Sequence, residues 1–525
     1  MPSDAGSRLP RLLIAGAAAL LAGVIYCSAL DVSPLSVTKD EASYAIQSHA
    51  VATTGRDING HRLPLFFQEP GFALGRDPIY IYATAFVLQF VPLSEASLRI
   101  PTTVAAAISV GLVVLIAYEI FGSSALAALA GLLLALTPVF FIRSRAALSV
   151  ILPVPFQLTW LLFLVRYSRD GRLRQALAGV AALGIGVYSY LSMQFLAPVH
   201  LVFSLAEMAR RRQWRHCVIA LALFAALLTP LLIWQLQHPS RMNDMAAGYR
   251  VYPAGLTPLQ GLKDVLSWSS LATRSDVYWN AFNPSRLFFS GESSLIDSTR
   301  TAGLYPVVYL VLLPLGIYDF FRRPITVVTL AILSVFLIGP IPGALIREET
   351  IARYLIVAPL AALVATAALD RLWKSGWLVL RIASIAAVVL SVILFVGFYN
   401  NYMTDWRIGS SFYFGSNLKG AMERVLAVQP DAAPERVYLS EKIPYANVYW
   451  EFYRRVHKRD DLIGRERGLQ LTAAEWRETT GRAVAIVPAG DDPSAETMTA
   501  AGWSVDAQIR EFYGGRPTFL VLSRN

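Results

Sequence analysis

The chain has 525 residues, of which 55% are hydrophobic and only 16% are charged, and its net charge is +10. Soluble globular proteins carry about 25% charged residues, so this composition excludes a surface that faces water on all sides. The basic excess falls mostly in short loops between apolar segments, which is typical of cytoplasmic loops rather than of nucleic-acid binding.

Apolar stretches long enough to cross a hydrocarbon core of ~30 Å recur along the chain. They predict an all-α polytopic membrane protein with about eleven transmembrane helices, because a spanning backbone must satisfy its own hydrogen bonds. The first stretch follows a basic flank like that of a signal peptide, but more spans follow it, and we expect it to stay uncleaved. The predicted spans lie near residues 10–30, 98–118, 124–142, 150–166, 174–190, 192–206, 216–235, 302–320, 325–343, 354–370 and 378–398.

The charge pattern also predicts the orientation. With the N-terminus in the cytoplasm, nearly every basic cluster beside a span falls inside, as the positive-inside rule requires. The stretch 78–91 is apolar but short, and it is predicted to be a juxtamembrane helix at the interface. The segments predicted to lie outside are 31–97, 143–149, 236–301, 344–353 and everything after about residue 399.

The last part of the chain differs in composition from the rest. Charged residues become frequent, and the short β-like runs 436–440, 482–488 and 518–523 are separated by helical stretches. This pattern predicts a small soluble α/β domain at 400–525, on the periplasmic side, following a transmembrane domain at 1–399.

Asp40 and Glu41 follow the first span closely, and the residues after them have a helical period. The pair is predicted to open an amphipathic helix. Carboxylates favour a helix N-terminus for electrostatic reasons alone, so an ordinary helix start and a catalytic pair both fit this position.

Arginines at the predicted outer boundary are the other candidates. Arg143 and Arg145 run against the positive-inside trend, and they fit either snorkelling side chains or donors to an anionic group such as phosphate. Arg353 ends an outer turn, which is either a phosphate site or a solvated salt-bridged turn. The loop 282–306 suits either a lid over a sugar or lipid, or a plain exposed loop. The pair Tyr188 and Tyr190, near the outer end of its span, is a weak signal, because interfacial tyrosines are common.

Four stretches, taken together and in order, resemble glycosyltransferase family 39 and its relatives of the GT-C fold. They are the Asp-Glu pair followed by TGRDINGHRLP at 54–64, then SEASLRIPTTVAAAIS at 94–109, SRAALSVILP at 144–153 and ARYLIVAPLAAL at 352–363. This group includes protein O-mannosyltransferases and the bacterial aminoarabinose transferase of lipid A. The resemblance covers about residues 10–400.

The resemblance implies a membrane glycosyltransferase of the bacterial inner membrane. Its donor would be a polyprenyl-phosphate-linked sugar, and its acceptor a hydroxyl of a lipid, glycan or protein on the periplasmic face. Asp40 matches the family's first-loop aspartate and would act as general base, with Glu41 orienting base or acceptor. Arg145, Arg143 and Arg353 would hold the donor phosphate.

The sequence departs from the aminoarabinose transferases at two positions. Ser149 stands where that branch has a second acidic residue, and the lysine before its juxtamembrane proline is missing from GRDP at 75–78. Arg76 could substitute for that lysine. These departures weaken a lipid A assignment more than the general reaction class.

A polytopic membrane protein also fits two other classes of function, a transporter and a scaffold. A transporter or flippase of a lipid-linked sugar should show paired inverted halves, and none is apparent, while a membrane scaffold gives no reason for the outer-face arginines. The two cysteines and six histidines show no metal-ligand spacing. No cofactor is required, although a divalent metal remains open, and membrane lipids but no nucleic acid are expected as partners.

Overall fold

A computed structural model describes residues 8–69, 72–240, 244, 248–249, 251–253, 255–469, 473–479, 481–490, 493–513 and 515–524. The chain forms two compact units. The first contains the N-terminal segment up to Ser28 together with residues 63–80 and 100–400. The second contains residues 29–62, 81–99 and 401–525.

Helices account for nearly all regular structure before residue 404. The α-helices are Arg8–Cys27, Lys39–Thr54, Pro78–Val87, Glu95–Phe121, Ser124–Ala135, Pro138–Ser144, Pro153–Asp170, Leu173–Gly186, Leu191–Arg210, Trp214–Gln237, Pro258–Val265, Trp268–Asn280, Tyr309–Arg322, Val327–Ile338, Ile341–Ile346, Val357–Lys374 and Leu378–Met403. Short 3-10 helices cover Ser149–Ile151 and Ile351–Tyr354, and a π-helical turn covers Arg286–Ser290. A small antiparallel pair joins β1 (Phe67–Glu69) to β2 (Phe72–Arg76).

Each predicted span coincides with a helix or a pair of helices, and residues 78–87 form the predicted short helix. Among the described residues, seven helices are long and apolar enough to cross a membrane, or eight if the bent pair at residues 124–144 is one span. Helices such as Leu173–Gly186 are too short to be counted in this way. A polytopic membrane protein is therefore supported, while the total of eleven crossings stays a prediction.

The helix Val357–Lys374 lies at the centre of the first unit. Every residue from Val357 to Asp370 is buried, and its many alanines allow neighbouring helices to approach closely. The closest approach is made by Gly316 of the helix Tyr309–Arg322. A Cβ at that glycine would lie only 2.1 Å from the carbonyl oxygen of Val364, so a side chain there would force the two helices apart.

A sharp bend follows Ser124–Ala135. The next helix begins at Pro138, and the two axes differ by 67°. Thr137 has extended backbone angles, as expected for a residue before proline, and the proline itself suits the first turn of a new helix. The bend positions Arg143 and Arg145 at the end of the second helix of the pair.

The second unit contains a five-stranded sheet. Its strands are β3 (Arg436–Ser440), β4 (Glu466–Leu469), β5 (Ala483–Pro488), β6 (Ser504–Arg510) and β7 (Pro517–Arg524), in the order β4-β3-β5-β7-β6. β3 pairs with β4 and β5 in parallel, whereas β7 pairs antiparallel to β5 and β6. The three predicted strands are confirmed. The helices of this part are Asp405–Gly409, Leu418–Leu426, Ala446–Val456, Ala473–Glu478 and Pro493–Ala500.

Two segments of the first predicted outer loop belong to this second unit. The helix Lys39–Thr54 packs against Ala446–Val456. Ser36 and Tyr453 share a hydrogen bond of 2.6 Å, and the Tyr453 hydroxyl donates to Glu95 at 2.9 Å. Residues 29–62 and 81–99 therefore belong to one compact unit with the C-terminal residues. The sheet also has an apolar core made of C-terminal residues, among them Tyr438, Trp476 and Trp503.

Candidate functional site

The helix that carries Asp40 and Glu41 starts with a capping box. The Thr38 hydroxyl accepts from the amide of Glu41, and a Glu41 carboxylate oxygen accepts from the amide of Thr38 at 2.7 Å. This reciprocal pair satisfies two amides that a helix start leaves without partners. The residues from Glu41 to Ser48 are all buried, so this stretch is not amphipathic as predicted but enclosed on every face, whereas the ends of the helix are more exposed.

Arg99 fixes the backbone leading into this helix. Its guanidinium is fully buried and donates to the carbonyl oxygens of Leu30 and Ser36, each at 2.6 Å. Its Nε also lies 3.9 Å from a Glu41 oxygen. Glu41 is therefore both a helix cap and the counter-charge of a buried arginine, which gives its carboxylate a positioning role.

Asp40 is placed differently from its neighbour. Its side chain is 47% exposed, and one carboxylate oxygen lies 3.5 Å from the Lys39 ammonium. That ammonium also lies 4.3 Å from the ring centre of Tyr445. Burial, and then the charges of Glu41 and Asp40, raise the pKa of Tyr449, so this ring is near the acidic pair. Of the two carboxylates, only Asp40 is open to an incoming molecule.

We expect Glu41→Gln to destabilise the protein. Glutamine keeps the capping hydrogen bond but removes the counter-charge of Arg99, and breaking a buried pair in this way costs about 3 kcal/mol. Thermal unfolding in detergent measures the loss, with Asp40→Asn as the control that should unfold near the wild-type temperature. A variant of unchanged stability that has lost activity would instead assign Glu41 to the chemistry.

An aromatic cleft of about 450 Å³ lies in the second unit beside these residues. Its walls include Phe412, Tyr413, Tyr445, Tyr449 and Phe519, with Lys442, Glu511 and Arg516. Two of these rings, Tyr445 and Tyr449, are the ones that adjoin Lys39 and the acidic pair. The cleft therefore shares two of its rings with the surroundings of the acidic pair, and it combines ring faces with charged groups.

In the first unit, Arg143 and Arg145 are both buried and engaged. Arg143 forms an ion pair with Asp297. Arg145 donates to the carbonyl oxygens of Tyr26 at 2.8 Å and Ser28 at 2.6 Å, where the first helix ends and its last carbonyls lack helical partners. Both arginines therefore anchor structure, and Arg145 ties the bent helix to the end of the first one.

Arg353 lies between tyrosine rings. Its guanidinium donates to the Tyr190 hydroxyl and, through Nε at 3.1 Å, to Glu348. The Cζ atom of the guanidinium lies 5.4 Å from the ring centres of both Tyr190 and Tyr249, within the range of a cation–π contact. Glu348, which pairs with this arginine, is 48% exposed, whereas the Arg353 side chain is only 12% exposed.

Asp77 is a site residue that the sequence analysis missed. The Ser149 hydroxyl donates to its carboxylate at 3.2 Å, so the serine that replaces an expected acid is itself bound to one. Burial raises the pKa of Asp77 to about 6. The hydrogen bond from Ser149 and the charges of Arg76 and Arg353 lower this pKa, but their effect is smaller than that of burial. The sequence offered one indication of this residue, because Asp77 stands between Arg76 and a proline in GRDP at 75–78.

The short helices Ser149–Ile151 and Ile351–Tyr354 bring this group together. They pack against each other, and Val150, Tyr190 and Ala352 form a buried apolar cluster beneath the polar groups. Arg353, Asp77 and Arg76 thus act electrostatically on one another in the first unit. Asp40 and Glu41 lie in the second unit.

The loop 282–306 is anchored onto the turn that carries Arg353. Arg286 and Glu292 form a buried ion pair with an Nε–oxygen distance of 3.0 Å. Arg286 also donates to the Tyr354 hydroxyl at 3.2 Å, and Glu292 accepts from the amide of Ile351 at 2.9 Å. The loop is therefore not a plain exposed segment, and it supports the backbone on which Arg353 is held.

No metal site is apparent in the described part of the chain. None of its histidine, cysteine, aspartate and glutamate side chains forms a group of three or more that could hold an ion.

Comparison with known proteins agrees with the fold and with the resemblance. Residues 75–234 match a family model described as dolichyl-phosphate-mannose-protein mannosyltransferase. The structure is similar to ArnT from Cupriavidus metallidurans in the apo state, with a TM-score of 0.59 and 13% identity over 99% of this chain and 98% of that chain. The chain has the GT-C fold.

Two further GT-C structures resemble this chain. ArnT from Cupriavidus metallidurans bound to undecaprenyl phosphate matches with a TM-score of 0.56 and 13% identity over 98% of each chain. The archaeal oligosaccharyltransferase AglB from Archaeoglobus fulgidus, in complex with an inhibitory peptide and a dolichol-phosphate, matches with a TM-score of 0.53 and 15% identity over 86% of this chain and 64% of that one. No curated protein sequence matches significantly. The predicted resemblance to GT-C transferases is confirmed.

Proposed function

We propose that the protein is a membrane glycosyltransferase that moves a sugar from a polyprenyl-phosphate donor to an acceptor hydroxyl, on the periplasmic face of a bacterial inner membrane. The observation that carries this proposal is Arg353, a nearly buried cation held between two tyrosine rings on a GT-C fold. Two of the similar structures hold undecaprenyl phosphate or a dolichol-phosphate, which are lipid anions of the kind this arginine suits.

In this mechanism the donor phosphate binds to Arg353 and displaces the half-exposed Glu348. Negative charge grows on the phosphate as the bond to the sugar breaks, and a preorganised guanidinium stabilises that charge. The carboxylate of Asp77 and the hydroxyl of Ser149 adjoin this position, and they accept hydrogen bonds from the hydroxyls of the donor sugar. Arg143 and Arg145 support the fold around the phosphate instead of binding it directly.

The acceptor reaches Asp40 through the aromatic cleft of the second unit. The ring faces of Tyr445 and Tyr449 suit a glycan, and Lys442 and Arg516 suit an acceptor with acidic groups. Asp40 takes the proton from the acceptor hydroxyl as it attacks the anomeric carbon, and an inverting transfer needs one such base. Glu41 keeps the first turn of the helix, and thereby Asp40, in position.

The reaction is tested with purified protein in proteoliposomes that contain a labelled polyprenyl-phosphate sugar and extracted envelope glycans. The proposal expects free polyprenyl phosphate and a labelled acceptor in equal amounts. Intact donor that appears on the opposite leaflet would instead indicate a flippase. Mass spectrometry of envelope glycans and lipids from a strain lacking the protein identifies the acceptor.

Asp77→Asn is expected to lower transfer and to raise stability at neutral pH. Because the pKa of Asp77 is raised from 3.8 to about 6 by burial, the folded protein is destabilised when this group ionises. Below pH 4 the variant and the wild type should unfold at the same temperature. Between pH 4 and pH 6 the unfolding temperature of the variant should rise increasingly above that of the wild type, and above pH 6 the difference should stay constant. Thermal unfolding across this range is the measurement, and a pH-independent difference contradicts it.

A further inference from the structure

A second charged cavity lies in the first unit, where several long helices begin or end. It encloses about 420 Å³ between the start of the first helix, the end of Glu95–Phe121 and the turn that joins Pro153–Asp170 to Leu173–Gly186. These helix ends are all predicted to lie on the cytoplasmic side. The proposed transfer reaction uses none of them.

The cavity is strongly basic. Five arginines line it against two carboxylates, which leaves an excess of three positive charges, and these arginines are Arg11, Arg166, Arg169, Arg172 and Arg174. Glu119 is shared by Arg166 at 3.1 Å and by Arg169, and Asp170 lies 3.5 Å from Arg172. The internal ion pairs therefore hold the walls but do not neutralise the cavity.

Apolar surface continues directly from this basic cavity. Leu12 lines it, and Leu9, Leu12 and Leu13 of the first helix are each at least 57% exposed, as expected of a face that contacts lipid chains. Arg11, between them, lies with its guanidinium 4.2 Å from the ring centre of Tyr118. A ligand that fits both surfaces has an anionic head and an apolar tail.

We propose that this cavity binds the phosphate head group of an anionic phospholipid of the inner leaflet. Basic pockets between spanning helices on the cytoplasmic side are suited to such head groups. The positive-inside rule explains why arginines occur on this side, but it does not require them to converge on one enclosed volume. The residues that line this cavity take no part in the proposed transfer reaction. Lipid binding can therefore be tested without measuring transfer activity.

The test is native mass spectrometry of the full chain, released from detergent with increasing phosphatidylglycerol or phosphatidylcholine. The wild type should bind phosphatidylglycerol preferentially, and Arg11→Gln with Arg174→Gln should weaken that binding by roughly tenfold or more. The control is Arg215→Gln with Arg322→Gln, which removes the same charge from exposed arginines of other loops predicted on the same side.

Unchanged phosphatidylglycerol binding in the cavity variant overturns the proposal. Equal losses in both variants also overturn it, since the attraction would then depend on the total charge of this side alone. A third arm adds inorganic phosphate at millimolar concentration. Displacement of the lipid by free phosphate would assign the cavity to a soluble phosphate compound, whereas retention of the lipid supports a head group held together with its chains.

Discussion

Asp40→Asn is expected to lower the transfer rate by roughly 10²–10⁴-fold, which is the contribution of a positioned general base. Asparagine has nearly the same shape as aspartate but cannot take a proton from the acceptor hydroxyl. Because the Asp40 side chain is about half exposed and lies 3.5 Å from the ammonium of the adjacent Lys39, the variant should fold normally. The measurement is transfer of label from a polyprenyl-phosphate sugar in membranes.

The matched control is Asp31→Asn. Asp31 precedes Asp40 by nine residues and is exposed, so this substitution removes an equal charge from the same segment and should leave the rate unchanged. Full activity of Asp40→Asn would remove Asp40 as the base. The base would then have to be sought among other carboxylates, with Asp77 as the first candidate because burial holds its pKa near 6.

The second large effect is expected for Arg353→Ala, with a loss of roughly 10²–10³-fold in kcat. The arginine stabilises charge that develops on the leaving phosphate, so the maximal rate should fall more than the affinity for donor. Arg353→Lys should recover only part of the rate. A single ammonium cannot make the planar contacts with Tyr190 and Tyr249 while binding phosphate.

Arg347→Gln is the control for Arg353. It lies six residues earlier in the same turn and is exposed, so it tests whether general positive charge near this position is sufficient. Arg145→Gln provides a contrast, because Arg145 binds the last carbonyls of the first helix. We expect that variant to lose folded protein, and not only rate. If Arg145→Gln folds normally and shows the loss of kcat expected of Arg353→Ala, then Arg145 and not Arg353 binds the donor phosphate.

Much of the architecture follows from the sequence by itself. Apolar length predicts membrane helices, because lipid offers no partner for backbone amides, and helices occur at all the predicted positions. Short β-like runs predicted the strands at 436–440, 482–488 and 518–523. These are local properties of the chain, and the GT-C resemblance added the order in which the segments occur.

Only the tertiary structure distinguished between candidate residues of the same type. Asp40 and Glu41 are adjacent in sequence, yet their environments differ. Glu41 is buried and contacts Thr38 and Arg99, whereas the Asp40 side chain is about half exposed. Arg145 and Arg353 looked alike as outer-boundary arginines, but one binds helix carbonyls and the other lies between tyrosines. Such differences depend on partners that are distant in sequence, and no local pattern records them.

The same reason explains the residue that sequence analysis missed. Asp77 and Ser149 are separated by 72 positions, so the missing acid at 149 could not be connected with the carboxylate at 77. The sequence determined that a carboxylate and arginines would occur at the predicted outer boundary. The fold decided which of them remain accessible, because burial and long-range pairing are set by packing between segments that the chain brings together only when it folds.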